Sequence, residues 1–288
     1  MKRFLARQAA RLVVGVGGAV AVAAVISAAG EPRAPGLPGF GMALGSRLMH
    51  FAQLDLGHSA ISGLPVLQEL ADRLPPTLLL VAMGAAVALL AGLPLGLLFA
   101  VGSARRTAAP FVQIITATPV FCAGLALAWV AARLLHWPVT INALRGSLPG
   151  EEWQILALPV LTVGLAGAAA VQHALRQGAE LSSGGAFRGG LKQMGLSAFE
   201  IERRYVMPQV LAGLAARAGE VMLALLSATV VAEWVFHRDG AADLFVRSVA
   251  LDDWNMAAMI LFVFAFLTFV TDFIGHIAGI VFANEGQP

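Results

Sequence analysis

The chain has 288 residues, 58% of them hydrophobic and 12% charged, with a formal net charge of +2 and a mean hydropathy of +0.79. A soluble domain carries about 25% charged residues, so this composition excludes an ordinary water-soluble protein and points to the bilayer. The small net charge implies no broad basic face for nucleic acid, and a lone cysteine, Cys122, excludes an intrachain disulfide and a cysteine-built metal cluster.

A membrane-spanning helix needs about 20 mostly apolar residues. Six stretches supply them: 12–29, 76–101, 108–135, 155–175, 218–236 and 256–282. The expected fold class is therefore all-α, with six transmembrane helices. The first stretch follows a basic start, "MKRFLARQAARL", and ends in small residues at Ala28 and Ala29, which is also the layout of a cleavable signal peptide. We read it as a retained span, because the number of crossings is then even and the charges sort. Pro94, Pro119, Gly92, Gly96, Gly164 and Gly167 fall inside the later spans. Neighbouring helices tolerate such residues in lipid, and small side chains allow close approach. Cys122 lies in the third stretch and reads as a small buried hydrophobe.

Outer segments are expected at 30–75, 137–154 and 237–255, with inner ones at 103–107 and 176–217. Residues 1–75 hold the first span and outer segment, and 76–288 hold the core with its inner segment at 176–217. With the N-terminus in the cytoplasm, the inner side holds Lys2, Arg3, Arg7, Arg11, Arg105, Arg106, Arg176, Arg188, Lys192, Arg203, Arg204 and Arg217, twelve of the 19 basic residues. That bias obeys the positive-inside rule and places both termini in the cytoplasm.

The inner segment contains "GLKQMGLSAFEIERRYVMPQV", Gly190–Val210, the longest run of mixed charge. A short helix over 187–194 would end at Gly195, placed as a left-handed C′ residue. Ser197 then starts a second helix as its N-cap. Glu200 completes an S-x-x-E capping box, and Leu196 and Ile201 sit at the staple positions. Pro208 stops or kinks that helix. A structured polar insert of this kind serves docking to a soluble partner, or lies as an amphipathic hairpin on the lipid surface; the local chemistry leaves both open.

Beyond the insert, Glu233 and Asp272 fall in or near apolar runs. An ionised group at mid-bilayer costs at least about 2.5 kcal/mol, so each faces protein or water, as a gate or pathway group or as a hydrogen-bonding anchor between helices. His276, one turn after Asp272, is placed to pair with it. In the outer loop, Asp252 and Asp253 are candidates to receive a basic patch on an extracytoplasmic partner, and the loop is a candidate cap on a translocation path. No G-x-x-x-x-G-K-[ST] and no H-E-x-x-H occurs, so a P-loop and a zincin site are excluded.

"MGLSAFEIERRYVMPQVLAG" resembles the coupling segment of binding-protein-dependent ABC importer permeases, with Gly195 and Pro208 at that family's glycine and proline. "LDLGHSAISGLPVLQELADRLPPTLLLV", "LPVLTVGL", "VVAEWVF" and "FVTDFI" extend the resemblance to the dipeptide, oligopeptide and nickel type, in the same order along the chain. The departures are Gln193 and Met194 where Ala-Lys is usual, "RDGAADL" in place of Pro-Gly-x-Gly, a shorter first outer segment, and a C-terminus without basic residues. The resemblance implies a type I importer fold and alternating access driven by ATP bound elsewhere, so the chain itself would take no cofactor and would not be an enzyme. It implies four kinds of partner: a second homologous permease, two cytoplasmic ATPases, an extracytoplasmic solute-binding protein and the plasma membrane bilayer. Gly195, Leu196, Ser197, Phe199, Glu200, Arg203 and Arg204 would couple to an ATPase, and the cargo would be a short peptide or similar small polar solute. The reading from another class is a self-sufficient carrier or channel using Glu233 or Asp272; a membrane scaffold is a third.

Overall fold

The structure is a computed structural model that describes residues 2–29, 44–50, 57–101, 118–137, 152–182 and 185–285. The described residues are almost entirely helical: α1 (Lys2–Ala29), α2 (44–50), α3 (Val66–Val101), α4 (Val120–Val130), α5 (Glu152–Ser182), α6 (Gly185–Gln193), α7 (Ala198–Ile201), α8 (Met207–Ala215), α9 (Ala218–Val235), α10 (Ala241–Ala250) and α11 (Trp254–Glu285). Ala131–Leu135 extends α4 as a wider π turn, and Glu202–Val206 does the same after α7.

Among the described residues, five helices are long and apolar enough to cross a membrane: Ala6–Ala29, Val66–Pro94, Ile155–Gly178, Ala218–Val235 and Trp254–Phe282. Five of the six expected spans thus have a helix of spanning length. The third, expected over 108–135, is described only in its latter part, as the shorter apolar helix Val120–Leu135; its residues 108–117 lie outside the described residues. So do the inner turn 103–107, most of the outer loop 137–154 and much of the segment 30–56.

The second span begins earlier than its apolar run suggests. Pro75 and Pro76 sit inside α3 rather than at its start. Each removes one bond, to the carbonyls of Ala71 and Asp72, and both of those residues are exposed, where water can meet the carbonyl. The third outer loop is also not a loop throughout, because its middle forms α10.

The core lies along α3 and α5, and glycine makes it. A Cβ on Gly84 would overlap Val163, one on Gly164 would overlap Val87, and one on Gly96 would overlap Leu175. Gly92 admits Val171 at 3.0 Å by the same measure. Valines and leucines of each helix therefore press onto the bare backbone of the other, the packing that drives helix association in lipid. Gly167 admits Leu225 of α9 and Gly124 of α4 admits Thr162, so both helices join the same core. A second cluster, Val66, Leu70, Ala241, Leu244, Met256, Met259 and Ile260, joins α3, α10 and the start of α11.

α1 lies along α11 in the opposite direction. Ser27 donates to Asn255 at 2.6 Å, and further along Gly15 faces the Phe269 ring. Val13, Val14 and Leu90 stand 70%, 73% and 78% exposed at the height of the spans, an apolar surface suited to lipid. The expectation for Cys122 is corrected: it is exposed, on the face of α4 that also shows Phe121, Leu125 and Trp129.

Candidate functional site: a capped knuckle and an outer polar knot

α6 ends in a Schellman turn. Gly195 takes φ +85°, its N–H donates to the Lys192 carbonyl at 3.0 Å, and the Leu196 N–H donates to the Leu191 carbonyl at 3.3 Å. A Cβ there would meet nothing within 4 Å, so the backbone angle alone calls for glycine.

The next helix opens on the capping box. The Ser197 N–H and hydroxyl donate to Glu200 Oε2 at 2.9 and 2.6 Å, and the Glu200 N–H donates back to Ser197 Oγ at 3.3 Å. The Ser197 hydroxyl and then its N–H hold the Glu200 carboxyl below its ordinary pKa, with a smaller contribution from the Arg204 charge. Leu191 and Ile201 are buried and Leu196 packs on the same core, which ties the knuckle to the bundle.

The opposite face is open. Met194 and Phe199 are 76% and 71% exposed. Leu196, Phe199, Glu200, Arg203, Arg204 and Pro208 line a groove of about 430 Å³. The structure thus brings together Leu196, Phe199, Glu200, Arg203 and Arg204, with Gly195 and Ser197 setting the turn beneath them. Pro208 does not end the path. It sits in the first turn of α8, after the π turn Glu202–Val206. A proline ring presses on the carbonyl four residues earlier, here that of Arg204, and a widened turn relieves the pressure.

α8 is clasped between α5 and α11, and at three glycines the contact reaches backbone. A Cβ on Gly213 would lie 2.9 Å from the Gly178 Cα, and one on Gly279 would lie 3.0 Å from the Ala212 carbonyl oxygen. Gly275 leaves no room for a side chain beside the Ala215 carbonyl. A displacement of the knuckle therefore reaches two spans through backbone contacts.

At the other end of the bundle, Glu233 and Thr77 form a polar knot. Glu233 is 1% exposed and Thr77 fully buried. The Thr77 hydroxyl donates to Glu233 Oε1 at 2.7 Å and accepts from the Ala241 N–H at 2.7 Å. Glu233 Oε2 accepts from the N–H groups of Ala242 and Asp243, each at 2.9 Å. The carboxylate is met by protein donors on both oxygens rather than by an open path.

Asp253, offered from sequence as a docking carboxylate, is 1% exposed and engaged internally. It accepts from Ser59 Oγ at 2.5 Å, from the Ala60 N–H at 2.9 Å and, as the N-cap of α11, from the Met256 N–H at 3.2 Å. Its neighbour Asp252 is exposed and left-handed, with φ +59°. Asp272 lies near the knuckle end of α11, half-buried, 3.4 Å from His276 Nδ1, and Gly219 of α9 makes room for it. Arg73, Asp239, Asp243 and Arg247 form a partly exposed chain of ion pairs over α10, of small energetic weight.

Between α9 and α11 runs an apolar groove of about 410 Å³, to which α10 contributes Phe245. Its two hydroxyls turn away into their own helices, Ser227 to Leu223 O and Thr268 to Phe264 O. Sequence reasoning missed Thr77, Gly240 and Ser59. Ser59 and Thr77 lie in the stretch 54–81 that carries the family resemblance, but nothing in the sequence linked them to Asp253 and Glu233.

A family model described as "Binding-protein-dependent transport system inner membrane component" matches residues 88–278. The chain is similar to the glutathione transport system permease protein GsiC of Salmonella choleraesuis (strain SC-B67), 27% identical over 225 residues that make up 76% of this chain and 71% of the relative. It is likewise similar to GsiC of Escherichia coli (strain K12), 27% identical over 220 residues, 75% of this chain and 70% of the relative.

Proposed function

The chain belongs to the family of binding-protein-dependent transport system inner membrane components, and from that membership we propose how it works as a multi-pass permease subunit of an ABC importer. The knuckle is the seat of a cytoplasmic ATPase, and its motion switches the path between inward and outward access. The supporting observation is the exposed, capped surface of Phe199, Arg203 and Arg204, mounted on a helix that meets α5 and α11 at close glycine contacts. A partner surface offering an apolar socket ringed by carboxylates matches that face. Nucleotide-driven closure of two such ATPases would bias a two-state membrane element, with a second permease completing the path and an extracytoplasmic binding protein delivering cargo. The relatives are named for glutathione, a tripeptide, which supports a short peptide as the class of cargo.

A self-sufficient carrier would need an acid open to the path. Glu233 is enclosed by protein donors, and the chain belongs to a family of binding-protein-dependent components, so that reading is not favoured. The test is uptake into liposomes containing the chain together with its second permease, ATPases and binding protein, identified by co-purification from the native membrane. Phe199→Asp and the pair Arg203→Glu, Arg204→Glu are expected to insert normally and to abolish ATP-driven uptake. Normal uptake by these variants, or uptake by the chain alone, overturns the proposal.

A further inference from the structure

We propose that Glu233 is a positioning residue for the outer face: its carboxylate locks the N-terminus of α10 onto α3 and α9 and so seats Phe245 at the apolar groove. The transport consequence rests on the reading above; the lock itself does not.

A helix leaves its first N–H groups without partners inside itself. α10 solves this from outside. Its cap residue, Gly240, has no side chain to offer. The N–H of Ala241 goes to Thr77 on α3, and those of Ala242 and Asp243 go to Glu233 on α9. The negative carboxylate meets the positive end of the helix dipole, which suits a buried charge there. Thr77 is the pivot, since one hydroxyl both accepts from α10 and donates to Glu233.

Gly240 supports the assignment independently. Its backbone is extended, at φ −115° and ψ 179°, an angle any residue adopts. A Cβ there would fall on both oxygens and the carboxyl carbon of Glu233. Glycine is present to leave the carboxylate its seat.

The far end of α10 is fixed as well. The Asp253 N–H donates to the Ser248 carbonyl at 2.8 Å, and the Asp253 side chain grips the turn at Ser59 and Ala60. A helix held at both ends moves only with the spans that hold it. In an alternating-access subunit, this makes the position of Phe245 follow α3 and α9 rather than open on its own.

The experiment uses the full chain in lipid nanodiscs, without partners, so it stands apart from any test of ATP-driven uptake. Amide hydrogen exchange is read over 241–250 and over α5 in Glu233→Gln, Thr77→Val and Thr77→Ser. In a Cys122→Ala background, Phe245→Cys is labelled with a membrane-impermeant maleimide in the same three variants. Glu233→Gln removes the negative charge that meets the α10 dipole, and Thr77→Val strands the Ala241 N–H, so both are expected to speed exchange over 241–245 and labelling at 245 by about tenfold or more. Exchange in α5 stays as in the parent, and Thr77→Ser, which keeps the hydroxyl, behaves like the parent. Rates within about twofold of the parent for Glu233→Gln and Thr77→Val, or equal rates for Thr77→Val and Thr77→Ser, overturn the proposal. The valine–serine comparison decides even if the glutamine variant loosens the whole bundle.

Discussion

Gly178 and Gly213 meet backbone to backbone, so that the helix leaving the knuckle rests on α5 with no side chain as a cushion. Side chains change rotamers and absorb small displacements. Two facing glycines cannot, and the junction behaves as a hard contact.

Filling that junction is therefore expected to be felt throughout the bundle. Gly213→Leu should destabilise the chain by about 1–3 kcal/mol through overpacking, with Gly213→Ala falling between it and wild type. Thermal unfolding in detergent, followed by tryptophan fluorescence, checks the order. An unchanged midpoint for the leucine variant would show that α8 is free to lift off α5.

The α3–α5 interface makes a parallel prediction with an internal control. Gly84→Leu and Gly164→Leu each drive a side chain into a valine of the facing helix and should cost about 1–3 kcal/mol. Leu90→Ala, on the 78% exposed face of the same α3, should stay within about 0.5 kcal/mol. The same unfolding measurement separates the two classes.

The capping box should weaken in acid. The Glu200 carboxyl has its pKa lowered from the usual 4.5 by its bonds to Ser197, so the ionised form is the one that the folded knuckle favours. Its contribution is present in full above about pH 4.5 and fades as pH falls through the lowered folded value. Amide protection over 197–201, taken relative to the intrinsic exchange rate at each pH, should accordingly be constant near neutrality and fall in that acid range. Glu200→Gln keeps an acceptor in the box and removes the acid dependence. A glutamine variant with the same pH profile as the parent would refute this account.

Asp253→Ala should free the turn over 57–65 from the start of α11. It removes an N-cap and strands the buried Ser59 hydroxyl and the Ala60 N–H, a loss of about 1–3 kcal/mol. Limited proteolysis is expected to begin in that turn in the variant and to spare it in the parent. Asp252→Ala, one residue earlier and exposed, is expected to cleave as the parent does.

Local chemistry carried the reading wherever partners are near in sequence. The turn at Gly195 and the box between Ser197 and Glu200 span three to five residues each and form as their spacing demands, and the His276 ring sits over Asp272 one turn earlier, against its backbone carbonyl. The spans were legible because the solvent that selects them is itself apolar. What stayed hidden is long-range. Thr77 and Glu233 are 156 residues apart, and Ser59 and Asp253 are 194 apart, so no pattern along the chain announces either bond. Asp253 looked like a surface acid because a carboxylate in a loop and a carboxylate capping a buried helix start read alike until the turn that covers it is in place. The start of α3 was hidden because its first turns, from Val66 on, precede the apolar run, and exposed carbonyls there absorb the bonds that Pro75 and Pro76 remove.

The antiparallel pairing of α1 with α11 has a practical reach. Ser27 sits level with Asn255 and Gly15 level with Phe269, so Lys2 must lie near the end of the bundle where α11 finishes. Gly275 and Gly279 put α8 and the knuckle at that same end. A fluorescent or enzymatic reporter fused to either terminus will therefore share a compartment with the knuckle. Two fusions that disagree on sidedness would show the first helix threaded the other way.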